Sequence, residues 1–148
     1  MSLRGITLVP ASVPAAATFR EAATALRESK LPAIAVLGAD GRVVGLFTDV
    51  DLLRGLFPAY LGELRHTAFL LDDPEAMARR ANEAAAEAVT AHCRKPQELE
   101  LATSAAHAAE RFLHCDEGAL PVVDHGRFVG MLPRGEFAVA MLRRRTET

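Results

Sequence analysis

The chain has 148 residues and a mass of 15.9 kDa, the size of one ordinary domain or of two small units sharing a core. Half of the residues are hydrophobic and 24% are charged, which calls for a packed globular core and excludes wholesale disorder. A net charge of −2 offers no basic excess for neutralising phosphates, so general nucleic-acid binding is excluded as the expected role.

The start, Met1-Ser2-Leu3-Arg4, lacks the charged-then-apolar pattern of a secretory signal. A short strand is expected near Leu8. Thr18 is a good helix N-cap, and Glu21 three residues on completes a capping box. Phe19, Ala22, Ala23 and Leu26 then fall at i, i+3, i+4 and i+7, one apolar stripe of a covering helix. The apolar run Ala33 to Leu37, a polar turn with Gly41, and the run Val43 to Phe47 read as a β-hairpin. A helix from about Val50 to Leu56 follows. The segment Tyr60 to Phe69 mixes apolar and charged residues and reads as a further helix. Asp72-Asp73-Pro74-Glu75 is a helix start, with an acidic cap and Pro in the first turn, and the Ala-rich stretch to about Ala88 continues it.

The same series then returns. A strand is expected near Leu99, and Ser104 caps a helix with Ala105, Ala108, Ala109 and Phe112 on one face. Ala119 to Val123, Gly126 and Phe128 to Leu132 make a second hairpin, and Gly135 to Arg145 a closing helix. The register from Pro10 to Pro96 is 86 residues, and that from Gly41 to Gly126 is 85, so the second copy has lost one residue. Two copies of one strand–helix–strand–strand–helix unit predict an α/β protein. No apolar stretch approaches the roughly 20 residues of a spanning helix.

Thr48 and Asp51 carry the chemistry of the first copy. Thr48 sits where a strand ends and a helix opens, where free backbone N–H groups favour an anion. A carboxylate one turn in, Asp51, can accept two hydrogen bonds from a vicinal diol. Gly45 permits close backbone approach. On the residues alone the plainer reading is the favoured one: both side chains simply cap the helix and answer its dipole.

The run Gly45-Leu46-Phe47-Thr48-Asp49-Val50-Asp51 resembles the Gly-h-h-Thr-x-x-Asp motif of cystathionine-β-synthase (CBS) domains, where h is apolar, and Ala119 to Asp124 resembles their second-strand pattern. The resemblance covers about residues 10–57 and 87–145. It implies two pseudo-symmetric CBS repeats, at 5–57 and 87–145, with a helical insertion over 58–86, packed as the pair called a Bateman module. It further implies reversible binding of an adenosine-containing ligand, with no chemistry performed. AMP, ADP, ATP, S-adenosylmethionine and NAD all fit, with Mg²⁺ as a companion ion and no required cofactor. In the first cleft the implied contacts are Leu46, Thr48, Val50 and Asp51, completed by Gln97, Glu117, Gly118 and Ala119, with His92 and Arg134 near the phosphates. The second cleft departs from the motif, because Pro133 replaces the Thr and Glu136 the Asp. Its implied wall is Ala11, Leu31, Pro32, Ala33 and Met131. The alternative is a ligand-free module for dimerisation or protein interaction. A homodimer, acting on an unknown effector protein, is expected.

Other groupings lead nowhere comparable. His92-Cys93, His107 and His114-Cys115 match no zinc spacing, and neither cysteine has a base and orienter beside it, so no metal and no catalytic residue is expected. Two cysteines make no disulfide framework, which points to a reducing cytoplasm. The preference for Arg and Ala suggests a bacterial source of high GC content.

Overall fold

The computed structural model describes residues 2–57 and 74–146. The expected helix at Tyr60 to Phe69 and the Asp72-Asp73 cap lie outside these. The elements run β1 (Ser12–Pro14), α1 (Phe19–Ser29), β2 (Ala33–Leu37), β3 (Val43–Thr48), α2 (Asp49–Leu56), α3 (Pro74–Ala86), β4 (Leu99–Glu100), α4 (Ala105–His114), β5 (Ala119–Asp124), β6 (Arg127–Pro133) and α5 (Arg134–Thr146). A 3-10 turn, Val89–Ala91, separates α3 from β4.

Among the described residues two three-stranded sheets result, ordered β1-β2-β3 and β4-β5-β6. In each, the first pair is parallel across a helix and the second is an antiparallel hairpin. Gly41 and Gly126 both take φ of 81° in the hairpin turns, a conformation that favours glycine. A register shift falls at Val36/Leu37 in one hairpin and at Val122/Val123 in the other, so the copies share even their irregularity. Thr18 makes the expected capping box with Glu21, and the Ser104 hydroxyl accepts from the His107 N–H.

Strand alternation sorts the core into three layers. Ile34 and Val36 face α1 with Phe19, Ala22 and Leu26. Leu120 and Val122 face α4 with Ala108 and Phe112. Between the sheets lie Ala33, Ala35, Leu46, Ala119, Val123 and Met131, where the alanines let the two sheets approach.

The first strand is not at Leu8. Val9 instead exchanges both backbone hydrogen bonds with Met131, at 2.9 and 2.7 Å, in the other repeat. Pro10 has no N–H, and the chain joins its own sheet only from Ser12. Leu3, fully buried, packs with Ile6 and Leu8 in the core of the second repeat. Reciprocally, Ala84 and Val89 pack in the core of the first repeat. The helix expected to reach Ala88 stops at Ala86, because the Val89 N–H is drawn to the Ala17 carbonyl at 2.9 Å. Each repeat is thus completed by the segment leading into the other.

Candidate functional site

Strand β3 delivers Thr48 to the start of α2, and the turn geometry closes a second capping box. The Asp51 N–H donates to Thr48 Oγ1 at 3.1 Å, while Asp51 Oδ2 accepts from the Thr48 N–H at 3.0 Å and the Thr48 hydroxyl at 2.9 Å. Both residues are buried, Asp51 at 5% exposure. A buried carboxylate needs a charged partner.

That partner is Arg94. Its Nε donates to Asp51 Oδ2 at 3.0 Å and its Nη2 to Asp51 Oδ1 at 2.9 Å, a bidentate fork. Nη2 also donates to Thr48 Oγ1 at 3.1 Å, and Nη1 to Glu117 Oε1 at 3.0 Å. The guanidinium therefore binds repeat one, through Asp51 and Thr48, to the loop before β5 of repeat two, through Glu117. The Asp51 hydrogen bond holds the Arg94 guanidinium above its ordinary value against the opposing effect of burial, and Glu117 adds to the rise. Burial pushes the Glu117 carboxyl up. The Arg94 hydrogen bond, the Glu117 backbone N–H, the Arg94 charge and the Cys115 thiol together outweigh it and leave the carboxyl below its usual range. Glu117 Oε2 is buried and has no hydrogen-bond partner.

The backbone explains how Arg94 arrives there. Leu46 and Arg94 exchange backbone hydrogen bonds, both at 2.9 Å. A Cβ on Gly45 would come within 2.5 Å of Cys93 Sγ, so Gly45 admits the Cys93–Arg94 segment itself. Val9 makes the same exchange with Met131 in the other copy and carries no charge. Arg94 has no counterpart there.

A cavity of about 200 Å³ opens beside this cluster, walled by Thr48, Asp49, Val50, Arg54, Arg94, Asp116, Glu117, Gly118 and Pro32. Of the residues expected in the first cleft, Thr48, Val50, Glu117 and Gly118 line this cavity, and Asp51 lies buried behind Thr48. Leu46 and Ala119 are fully buried in the strands behind. Arg134 stands alongside, its Nη2 donating to the Glu117 carbonyl at 2.6 Å. Gln97 is exposed and does not line the cavity. His92 lies instead against Phe19, ring centroids 4.5 Å apart, with Nε2 3.5 Å from Glu87 Oε2. Arg94, Asp49, Arg54 and Asp116 were not anticipated.

The second cleft is a different place. Pro133 ends β6, and Glu136 is exposed, on the wall of a separate cavity of about 200 Å³ shared with Gly5, Ile6 and Thr7. Ala33 and Met131 are fully buried, Ala11 partly so, and Pro32 stands in the wall of the first cleft, against Gly118. Cys93 and Cys115 are unpaired thiols, and burial pushes that of Cys93 up. Among the described residues no three His, Cys, Asp or Glu side chains converge as a metal site, and no helix is long and apolar enough to cross a membrane.

The family model described as the CBS domain matches this chain twice, at residues 6–57 and 93–143. No curated protein matches it in sequence. Among solved structures it is similar to a CBS domain-containing protein of unknown function from Kribbella flavida, with a TM-score of 0.75 at 18% identity over 96% of this chain and 99% of that one. It is also similar to the CBS-pair protein CBSX2 from Arabidopsis thaliana, with a TM-score of 0.73 at 21% identity over 98% and 96% of the two chains. A structure of CBSX2 in complex with AMP matches with a TM-score of 0.68 at 23% identity over 97% and 98%.

Proposed function

This chain belongs to the CBS-domain family as a tandem pair, and from that premise we propose that it is a regulatory module which binds an adenosine-containing nucleotide in the first cleft and performs no chemistry. The observation that carries the reading is Thr48 on the wall of a cavity between the repeats, with the buried Asp51 hydrogen-bonded behind it. A carboxylate there suits a ribose diol, and Thr48 with the opening of α2 suits a phosphate. The AMP complex of the similar protein CBSX2 supports the ligand class. The second cleft is empty on this reading, since Pro133 offers neither hydroxyl nor N–H and Glu136 is exposed.

The working form is a homodimer in the cytoplasm. Its interface is the apolar groove of about 480 Å³ between α4 and α5, where Leu113 and Leu142 are 82% and 62% exposed. The output passes to an effector protein, and Mg²⁺ enters only with the nucleotide's phosphates.

A dye-monitored thermal-shift panel of AMP, ADP, ATP, S-adenosylmethionine and NAD, with and without Mg²⁺, tests the ligand class. A ligand at 100 times its Kd adds about 2.7 kcal/mol to the folded state. Asp51→Ala, or the isosteric Asp51→Asn, should abolish the shift while Glu136→Ala leaves it; equal losses refute a single working cleft. A second reading, a ligand-free interaction module, is favoured by Arg94 already filling the acceptors of Asp51 and Thr48, and flat curves across the panel would establish it.

A further inference from the structure

We propose that Arg94 is a built-in occupant of the first cleft, and that it makes the cleft select a phosphorylated nucleotide over the bare nucleoside. The inference rests on the nucleotide-binding reading and adds a gate to it. Asp51 Oδ1 and Oδ2 and Thr48 Oγ1, the atoms that would read a diol and a phosphate, are all taken by the guanidinium. With Arg94 in place the cavity holds about 200 Å³, below the roughly 300 Å³ at which small-molecule pockets begin. A ligand must therefore displace Arg94 before Asp51 can meet a ribose.

Displacement has a chemical condition. The Arg94 charge is held by two buried carboxylates, Asp51 at 6% and Glu117 at 9% side-chain exposure, and it needs an anion wherever it goes. A nucleoside gives Asp51 its diol and gives Arg94 nothing. A nucleotide supplies both halves of the exchange: diol for guanidinium at Asp51, and phosphate for carboxylate at Arg94. Arg54, on the same wall, adds a second cation for that phosphate. Glu117 Oε2, buried and unpartnered, marks an acceptor still waiting for a donor in this cleft. Because Arg94 spans Asp51 of one repeat and Glu117 of the other, its release also unties the repeats, so occupancy of the cleft is converted into freedom between them.

The test is a calorimetric titration of the full chain and of its Arg94→Ala and Arg94→Gln variants with AMP and with adenosine. Arg94→Gln keeps a side-chain donor for Asp51 and serves if the alanine variant fails to fold, which circular dichroism melts decide. The wild-type chain should bind AMP at least about tenfold more tightly than adenosine, and either folded variant should narrow that gap by binding adenosine about tenfold more tightly than wild type does. An AMP-to-adenosine ratio unchanged by the substitutions, in a wild-type chain that binds AMP, overturns the gate and leaves the nucleotide reading standing. Adenosine bound as tightly as AMP by wild type also overturns it. No binding of either compound by wild type or by folded variants brings down both.

Discussion

Asp51 and Glu117 are two carboxylates held inside the fold by one guanidinium, and their energetics follow from that sharing. Removing one member of a buried ion pair leaves the other charge unmatched, at a cost of about 3–5 kcal/mol. Arg94→Ala should therefore lower stability by an amount in that range, measured by urea unfolding, and a change under about 0.5 kcal/mol would mean that water already serves the carboxylates. Glu117 adds a pH dependence. Its carboxyl lies below its usual range in the folded chain, so its stabilisation is fully present above the unfolded value of about 4.3 and is lost as pH falls through the lower folded value. Glu117→Gln should be less stable than wild type at pH 7 by about 1–3 kcal/mol, the worth of a charged hydrogen bond. The two melting curves should converge in acid, and a constant gap from pH 7 to pH 3 would deny the Arg94–Glu117 tie. Thr48 and Asp51 were legible in the sequence because a strand–Thr–x–x–Asp–helix junction is local. Arg94 was not, because its partners stand 43 and 23 residues away. Aligning the two copies gives no signal for it either, because the 86-residue register of this stretch sets Arg94 opposite Leu8 and Lys95 opposite Val9; its equivalence to Val9 is visible only in their pairing with Leu46 and Met131.

The elements record the same division between local and distant causes. Hairpins, helix caps and apolar stripes depend on neighbouring residues, and α1, α4 and both hairpins stand where those signals put them. The ends of α2 and α5 differ by a residue, which is ordinary fraying. The first strand is not where the apolar Leu8 and Val9 suggest, because Val9 makes an isolated bridge to Met131 in β6 of the other repeat, a choice no local signal contains. Gly45 marks the matching approach in β3. Gly45→Ala should cost about 1–3 kcal/mol by pushing Cys93 Sγ away. Adding Cys93→Ala should recover most of that loss in a double-mutant cycle of thermal melts, and strictly additive losses would show that the sulfur is not the obstacle.

At the scale of the whole molecule, the exchange of leading segments makes the repeats interdependent. Leu3 is fully buried in the core of the second repeat, and Leu3→Ala should cost about 2–5 kcal/mol. A fragment of residues 93–146, which lacks Leu3, Ile6 and Leu8, should show no cooperative melt; a sharp transition would mean that the repeat folds without its donated segment. The same interdependence places the first cleft at a junction of both repeats, where a ligand acts on the packing of the entire chain. The most direct test of that claim is the stoichiometry of AMP in a calorimetric titration of the full chain. One AMP per chain, kept in Glu136→Ala and lost in Asp51→Asn, is the predicted result; two per chain, none with the protein folded, or binding untouched by Asp51→Asn would contradict it.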